Sequence, residues 1–294
     1  MRIAVVQLMG LGNAILTTPL ISALHSLGNE ITVIANLARG AEPAFAEWPV
    51  VTQLCDHLPE GAGPFDLAMW CHPIWGNVDT VRALGVIPTL FPEPCMQSGG
   101  GEWQARFLKH EIEYLLDMAR RFGFASAAPP LRLRHHPQPV QPKRIAIGIG
   151  YLKDGHWNRK HWGNENYRQL CRRLLDNDYR PVLVGDAADW ERDGRIIAQE
   201  AGVDSLCGLP LEEIIDHMSG CEAFIGNDTG LMHAAAALGR PVVAIFVASN
   251  VVKSRPWCDR HVVIDGNTGN ANDATLAVLS LTGASRGKTA QFQR

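Results

Sequence analysis

Short apolar runs recur along the chain, each closed by a glycine-rich or polar turn and followed by a stretch whose apolar residues fall at helical spacing. Ile3 to Leu8 predicts a buried strand, the segment MGLGN a turn, Ala14 to Ser26 a helix, and Glu30 to Ala35 a second strand. Phe65 to Cys71 predicts another strand, ending at His72-Pro73, and Val86 to Leu90 one more. Between Glu102 and Phe122 the apolar positions Phe107, Ile112, Leu115, Leu116, Met118, Ala119 and Phe122 fit one long amphipathic helix. Alternation of this kind implies parallel sheets covered on both faces.

The pattern breaks between Ala125 and Pro142, where Pro129, Pro130, Pro137, Pro139 and Pro142 crowd into one span. That composition predicts a stiff linker, with room for a short strand at Leu131 to Leu133. Alternation then resumes with a strand at Arg144 to Ile149 and a helix at Asn164 to Leu175. A strand at Pro181 to Val184 and helices at Trp190 to Ala201 and Leu211 to Met218 follow. Last come the stretch CEAFIGNDTGLMHAAAALGRPVVAIF, a strand at Val262 to Asp265 and a helix at Asp273 to Leu281. The expected division is a first domain over 1–128, a linker over 129–142, a second domain over 143–270, and a terminal helix and frayed tail over 271–294. The fold class this predicts is α/β, two doubly wound Rossmann-like domains facing across a cleft.

Composition narrows the possibilities. A 294-residue chain with 46% hydrophobic residues has enough apolar material for two cores. The net charge of −3 gives no general attraction to nucleic acid or to anionic lipid. Up to residue 140 there are nine Lys/Arg against twelve Asp/Glu, so the front half is the acidic one, without an evident basic cluster for an anionic lipid-borne acceptor. Seven widely spread cysteines with no C-x-x-C pair predict reduced thiols in a cytoplasmic protein. The N-terminus enters a strand at once, so no signal peptide is expected, and no apolar run reaches membrane-spanning length. Peripheral membrane contact stays open. His135-His136 has no partner at metal-ligand spacing and predicts a solvated pair, so no metal site is expected.

The chemistry concentrates in two turns. After the apolar strand at Ala223 to Ile225, the residues Gly226, Asn227, Asp228, Thr229 and Gly230 lead straight into an Ala-rich helix that carries His233 on its first turn. A helix opening at the carboxyl end of a buried strand offers free N–H groups and a positive dipole end, which suits phosphate. The plainer alternative is that Asp228 and Thr229 only cap the helix and His233 is packed. The second turn, Met9-Gly10-Leu11-Gly12-Asn13, is half of a dinucleotide fingerprint. Ile15 stands where its third glycine should be, and no acidic residue closes the second strand, so a nicotinamide cofactor is set aside. Asp186 and Asp189, after the Val182 to Val184 strand, could accept hydrogen bonds from a ribose or could cap a helix. Trp48, Trp70, Trp75 and Trp103 could stack on sugar faces, though tryptophans are more often buried.

Taken together, GLGNAILTTP, NRKHWGNENY and FIGNDTGLMHAAAALGRPVVAIF resemble, in order and spacing, the heptosyltransferase-like glycosyltransferases of family 9, which have the GT-B fold. The resemblance implies an inverting, metal-independent transfer from a nucleotide sugar, typically ADP-heptose, to sugars of lipopolysaccharide. It implies a donor site in the C-terminal domain and an acceptor site in the N-terminal one. Carried over, the family's diphosphate-binding turn falls on Asp228, Thr229 and Gly230, with Asn227 before it and His233 beside it, and its donor-phosphate lysine falls on Lys160. No cofactor is implied beyond the donor. One departure stands out: Asn13 occupies the place of the family's general-base aspartate, and an amide cannot take a proton, although it can orient an acceptor. Gly12 before it leaves the backbone open to a substrate. Three explanations follow. Another base acts, with His72 at the end of its strand as the candidate, the protein binds a nucleotide sugar with little or no catalysis, or the asparagine is a deliberate substitution.

Overall fold

The computed structural model describes residues 1–56, 65–72, 89–90, 108–150 and 160–283. The chain forms two compact units, one comprising Met1–Arg134 with Val252–Ser254, the other His135–Val251 with Arg255–Arg294. The boundary thus falls between residues 134 and 135, inside the expected linker, and three residues from far along the chain join the first unit.

The described strands of unit 1 are β1 (Arg2–Gln7), β2 (Glu30–Ala35), β3 (Val51–Cys55), β4 (Leu67–Trp70) and β5 (Thr89–Leu90). They form a parallel sheet in the order β3-β2-β1-β4-β5. The sequence passes outward from β1 in both directions, so β1 and β4 flank a point where the strand order reverses, the place where open α/β sheets collect ligands. Helix α1 (Leu11–Ser26) follows β1. Pro19 lies inside it, and the carbonyl of Ile15, which a proline nitrogen cannot serve, accepts instead from the Thr18 hydroxyl at 2.7 Å. A short helix α2 (Glu42–Phe45) precedes β3. Trp70 is buried in the core with Val6, Ile34, Phe65 and Ala68, the commoner fate of a tryptophan; Trp75 and Trp103 lie outside the described residues.

Helix α3 (Glu111–Arg120) is shorter than the periodicity suggested. His110 has extended backbone and its Nδ1 accepts from the Ile112 N–H, a side-chain cap that starts the helix there; residues 102–107 of the expected helix lie outside the described residues. Of the strand expected at 86–90, β5 supplies the last two residues, and 86–88 are likewise outside. The strand expected at Leu131 to Leu133 does not form. The Arg132 N–H donates to the Thr18 hydroxyl and the Arg134 N–H to the Pro43 carbonyl, which ties the segment to α1 and α2 with no sheet ladder.

Unit 2 is a six-stranded parallel sheet ordered β11-β10-β9-β6-β7-β8. Its strands are β6 (Gln141–Gly148), β7 (Arg180–Val184), β8 (Asp204–Ser205), β9 (Cys221–Asn227), β10 (Val242–Phe246) and β11 (His261–Asp265). The order reverses between β6 and β9. Helix α4 (Asn164–Asp176) precedes β7. The single helix expected at Trp190 to Ala201 is composite: α5 (Ala187–Asp189), a π-helical turn (Trp190–Gly194) and α6 (Arg195–Ala201). Then come α7 (Leu211–Ser219), α8 (Gly230–Ala237) and α10 (Ala271–Gly283); α9 (Val251–Ser254), between β10 and β11 in the chain, has its last three residues in unit 1. Helix α10, expected as a separate terminal element, belongs to this unit, with Ala271, Ala274, Ala277 and Val278 in its core beside Tyr167, Leu170 and Ile225.

Two glycines bring β6 and β9 together just below the turn that leaves β9. Gly148 pairs with Gly226, and a Cβ on Gly226 would fall 2.5 Å from the Gly148 carbonyl oxygen, while one on Gly148 would fall 2.5 Å from the Phe224 ring. No larger residue fits at either strand end. Among the described residues no helix is long and apolar enough to cross a membrane. The six described cysteines are all unbridged.

Candidate functional site

The residues singled out in the sequence fall into two groups, each at the strand-order reversal of its own sheet. In unit 2 the group sits at the end of β9. Asn227 is fully buried, its amide donating to the Gly150 carbonyl at 3.4 Å. Thr229 takes the N-cap position of α8 with extended backbone, but its side chain makes no capping bond. Asp228 does not cap the helix either. Its carboxylate turns inward to Lys160, whose Nζ donates to Oδ2 at 2.7 Å and to the Asp228 carbonyl at 3.1 Å. His233 Nε2 lies 3.7 Å from the other carboxylate oxygen. Burial alone would push the Asp228 carboxyl up, but Lys160 and His233 outweigh it and hold the group below the usual carboxylate range.

The consequence is a helix mouth at which the Asp228 carboxylate is neutralised by Lys160. Asp228 and His233 are buried, whereas Thr229, Gly230 and Leu231 are half-buried at the surface and carry the first amides of α8. An anion meeting this turn meets N–H groups and the positive end of the dipole without facing an uncompensated negative charge. Lys160 is fixed by the segment ahead of α4: Trp162 is buried edge-on against Tyr167, 5.4 Å between ring centroids. The Asn166 amide also donates to the Trp162 carbonyl at 2.8 Å.

Asp186 and Asp189 take the plainer of their two roles. Asp186 is the N-cap of α5: its Oδ1 accepts from the Asp189 N–H at 2.7 Å, and its own N–H donates to Asp189 Oδ2 at 3.0 Å, a reciprocal capping box. The other oxygen of Asp189 accepts from Arg192 at 2.8 Å. Asp189 is wedged so closely between Gly150 and Gly185 that a Cβ on either would lie within 3.0 Å of its side chain. Both Asp189 oxygens are therefore committed inside the protein, and only exposed Asp186 has a side chain that a ribose could reach.

The second group lies in unit 1. Gly12 and Asn13 are on the first turn of α1, which Gln7 anchors to the end of β1 by donating to the Thr17 hydroxyl at 2.8 Å and the Asn13 carbonyl at 3.2 Å. The Asn13 amide donates to Oε1 of Glu111 at 2.9 Å. His72, just past β4, places Nε2 3.2 Å from the same oxygen, without hydrogen-bond geometry. Lys253, from the returning segment Val252–Ser254, places Nζ 3.5 Å from Glu111 Oε2. Burial, partly offset by Glu111 and reinforced by Lys253, pushes the His72 ring down to about 4. It is thus neutral near pH 7, with a basicity close to that of an ordinary carboxylate.

Glu111 and Lys253 escaped the sequence reading. A signal for Glu111 was present: it stands four and seven residues before Leu115 and Met118, on the stripe that α3 buries, where a carboxylate has no packing reason to be. Lys253 gave none, since it follows β10 by a few residues in a segment with no periodic pattern.

These arrangements can be set beside known proteins. The family model for glycosyltransferase family 9 (heptosyltransferase) matches residues 124–277, just over half of the chain. Lipopolysaccharide heptosyltransferase 2 of Escherichia coli (strain K12) is 36% identical over 116 residues, covering 37% of this chain and 33% of that protein. The chain therefore spans about a third of the length of the curated relatives it matches. Among solved structures, the E. coli ADP-heptose lps heptosyltransferase II aligns with a TM-score of 0.73 at 20% identity, covering 98% of this chain and 100% of that one. An E. coli heptosyltransferase solved with ADP aligns with a TM-score of 0.72 at 16% identity, covering 95% and 99%. At such identities the structural likeness establishes the fold, GT-B, and the family match goes further: this chain belongs to glycosyltransferase family 9, the heptosyltransferases.

Proposed function

We propose that this protein transfers a heptose from ADP-heptose to a hydroxyl of a lipopolysaccharide sugar, with inversion at the anomeric carbon and without a metal ion. The observation that carries it is the Lys160–Asp228 pair beside the half-buried residues Thr229 and Gly230, which carry the first amides of α8. A diphosphate held on those amides would have an ammonium beside it, and a fixed cation near the leaving group stabilises the negative charge that builds as the glycosidic bond breaks. The ammonium, although paired with Asp228, together with the amides and dipole end of α8 would supply part of the charge neutralisation a divalent metal would otherwise bring. The names of the relatives, lipopolysaccharide heptosyltransferases, support the sugar and the acceptor class, and a solved family member with ADP supports the nucleotide. Unit 2 would then hold the donor through Lys160, Asn227, Asp228, Thr229, Gly230 and His233, with Asp186 available to the ribose. Unit 1 would hold the acceptor near Gly12, Asn13 and His72. A nucleotide-sugar donor and the unbridged described cysteines support a reaction in the cytoplasm.

A second reading, a nucleotide-sugar-binding member with little catalysis, is favoured by one observation, the amide at Asn13. Titration calorimetry with ADP and with UDP, followed by product formation from ADP-heptose on heptose-deficient lipopolysaccharide with and without EDTA, tests both. ADP binding at least about tenfold tighter than UDP, with EDTA-insensitive transfer, is the expected result, a difference of about 1.4 kcal/mol. ADP binding without transfer to any acceptor would select the second reading. No ADP binding at all would remove both.

A further inference from the structure

We propose that Glu111 is the proton acceptor in this protein, and that the Asn13–Glu111 pair does the work of the single carboxylate that the family resemblance leads one to expect at residue 13. The inference rests on the transferase function proposed above and assigns the one role that function leaves unfilled.

Position 13 cannot accept a proton, yet the structure does not lack a carboxylate there. The Asn13 amide donates to Glu111 Oε1 across 2.9 Å, so negative charge sits one hydrogen bond away from where an aspartate at 13 would carry it. Glu111 is 6% exposed, at the first turn of α3 beside the carboxyl ends of β1 and β4, where the order of the unit 1 sheet reverses. A carboxylate this deep is costly unless it is compensated. Here the compensation is specific: Lys253 lies 3.5 Å from Oε2, and the Asn13 amide serves Oε1. A helix does not need this arrangement to start, because His110 already caps α3 through Ile112.

The identity of residue 13 also becomes intelligible. An aspartate there would put two carboxylates within hydrogen-bonding distance in a buried site, where like charges cannot both ionise easily. Asparagine keeps the geometry, donates to Glu111 and leaves a single carboxylate in the pair. In the transfer step the acceptor hydroxyl oxygen forms a bond to the anomeric carbon. Its proton passes to a Glu111 oxygen, and the bond from that carbon to the diphosphate oxygen breaks, its electron pair leaving with ADP. Among the described residues, the titratable and charged groups beside Glu111 include His72 from the end of β4 and Lys253 from α9, and His110 precedes it in the chain. His72, whose Nε2 lies 3.2 Å from Glu111 Oε1, serves as a positioning residue.

The test compares wild type with E111Q, E111D and the swap N13D/E111Q, using ADP-heptose and heptose-deficient lipopolysaccharide, with ADP binding followed by calorimetry. E111Q is expected to lower kcat by about 10²–10⁴-fold, the range for a lost general base, with ADP affinity within about threefold of wild type. The acid limb of the kcat/KM profile should vanish in E111Q and persist in E111D, and N13D/E111Q, which returns the carboxylate to residue 13, should regain at least about tenfold over E111Q. If wild type transfers heptose and E111Q stays within about threefold of it, or if E111Q and E111D fall equally with no recovery in the swap, the proton acceptor lies elsewhere and this inference is overturned alone. A wild type that neither binds ADP nor transfers heptose overturns the proposed function, and this inference with it.

Discussion

Lys160→Met is the perturbation that bears most directly on the donor turn. In the wild type, Nζ reaches Asp228 Oδ2 at 2.7 Å, and the two side chains are only 13% and 7% exposed. At that distance, with an effective dielectric of about 20, the attraction is about 6 kcal/mol before the cost of desolvation. Removing one member of a buried pair costs about 3–5 kcal/mol, because the remaining charge is stranded. The partial exposure of Lys160 puts the expected loss at the low end, about 3 kcal/mol at pH 7. The pH dependence has a definite sign. Asp228 is held below its ordinary 3.8, so its contribution is complete above that value and disappears as pH falls through its folded-state pKa. The deficit of the variant should therefore be largest near neutrality and shrink below about pH 4.

Urea denaturation of wild type, K160M, D228N and K160M/D228N closes the cycle. The double variant strands no charge and is expected to recover about 2 kcal/mol relative to K160M, yet to bind ADP no better than K160M, since the ammonium is still missing. If K160M loses less than about 0.5 kcal/mol, or if the double variant is no more stable than K160M, the ion pair does not hold this turn as described.

Two further outcomes follow from the geometry. His72 is held near 4 against an ordinary 6.5, so between those values the unfolded chain binds the proton more readily, and stability should fall as pH drops from about 6.5 to about 4, by at most about 3 kcal/mol. H72Q should flatten that slope in thermal melts at pH 7, 5.5 and 4.5; parallel declines would refute it. Gly226→Ala would place a methyl 2.5 Å from the Gly148 carbonyl oxygen and 2.9 Å from its Cα, backbone that cannot swing aside. A destabilisation of about 2–3 kcal/mol and weakened ADP binding are expected, and an unchanged melt would refute the close approach.

Much of this was legible in the sequence because local rules governed it. The strand, turn and helix from Cys221 to Ala237 formed as the apolar run and the glycine turn required, and the alternation of elements gave the doubly wound class. What escaped has physical causes. The capping bond of His110 shortened α3, and no periodicity reports a histidine cap. The linker residues Arg132 and Arg134 donate from their backbone N–H groups and from the Arg132 guanidinium to the Thr18 hydroxyl of α1 and to carbonyls in and just after α2, in a segment that composition reads simply as proline-rich. Asp186 and Asp189 carried the signature of a capping box all along, in an acidic residue three positions after a possible N-cap. Asp228 was the reverse case: it stood where a cap belongs, and only tertiary contact with Lys160 showed otherwise.

The returning segment at Val252–Ser254 bears on how such a chain can be re-engineered or can recombine. Its lysine belongs to the N-terminal unit although it is encoded deep in the C-terminal portion. A gene cut after codon 134 would express the five-stranded sheet with the Glu111 carboxylate deprived of its counter-ion. A chimera that grafts on the back half of a relative would unknowingly exchange a residue that pairs with Glu111 of the front half. The two lobes are thus not interchangeable cassettes, and any crossover between relatives must carry the glutamate and its distant lysine together.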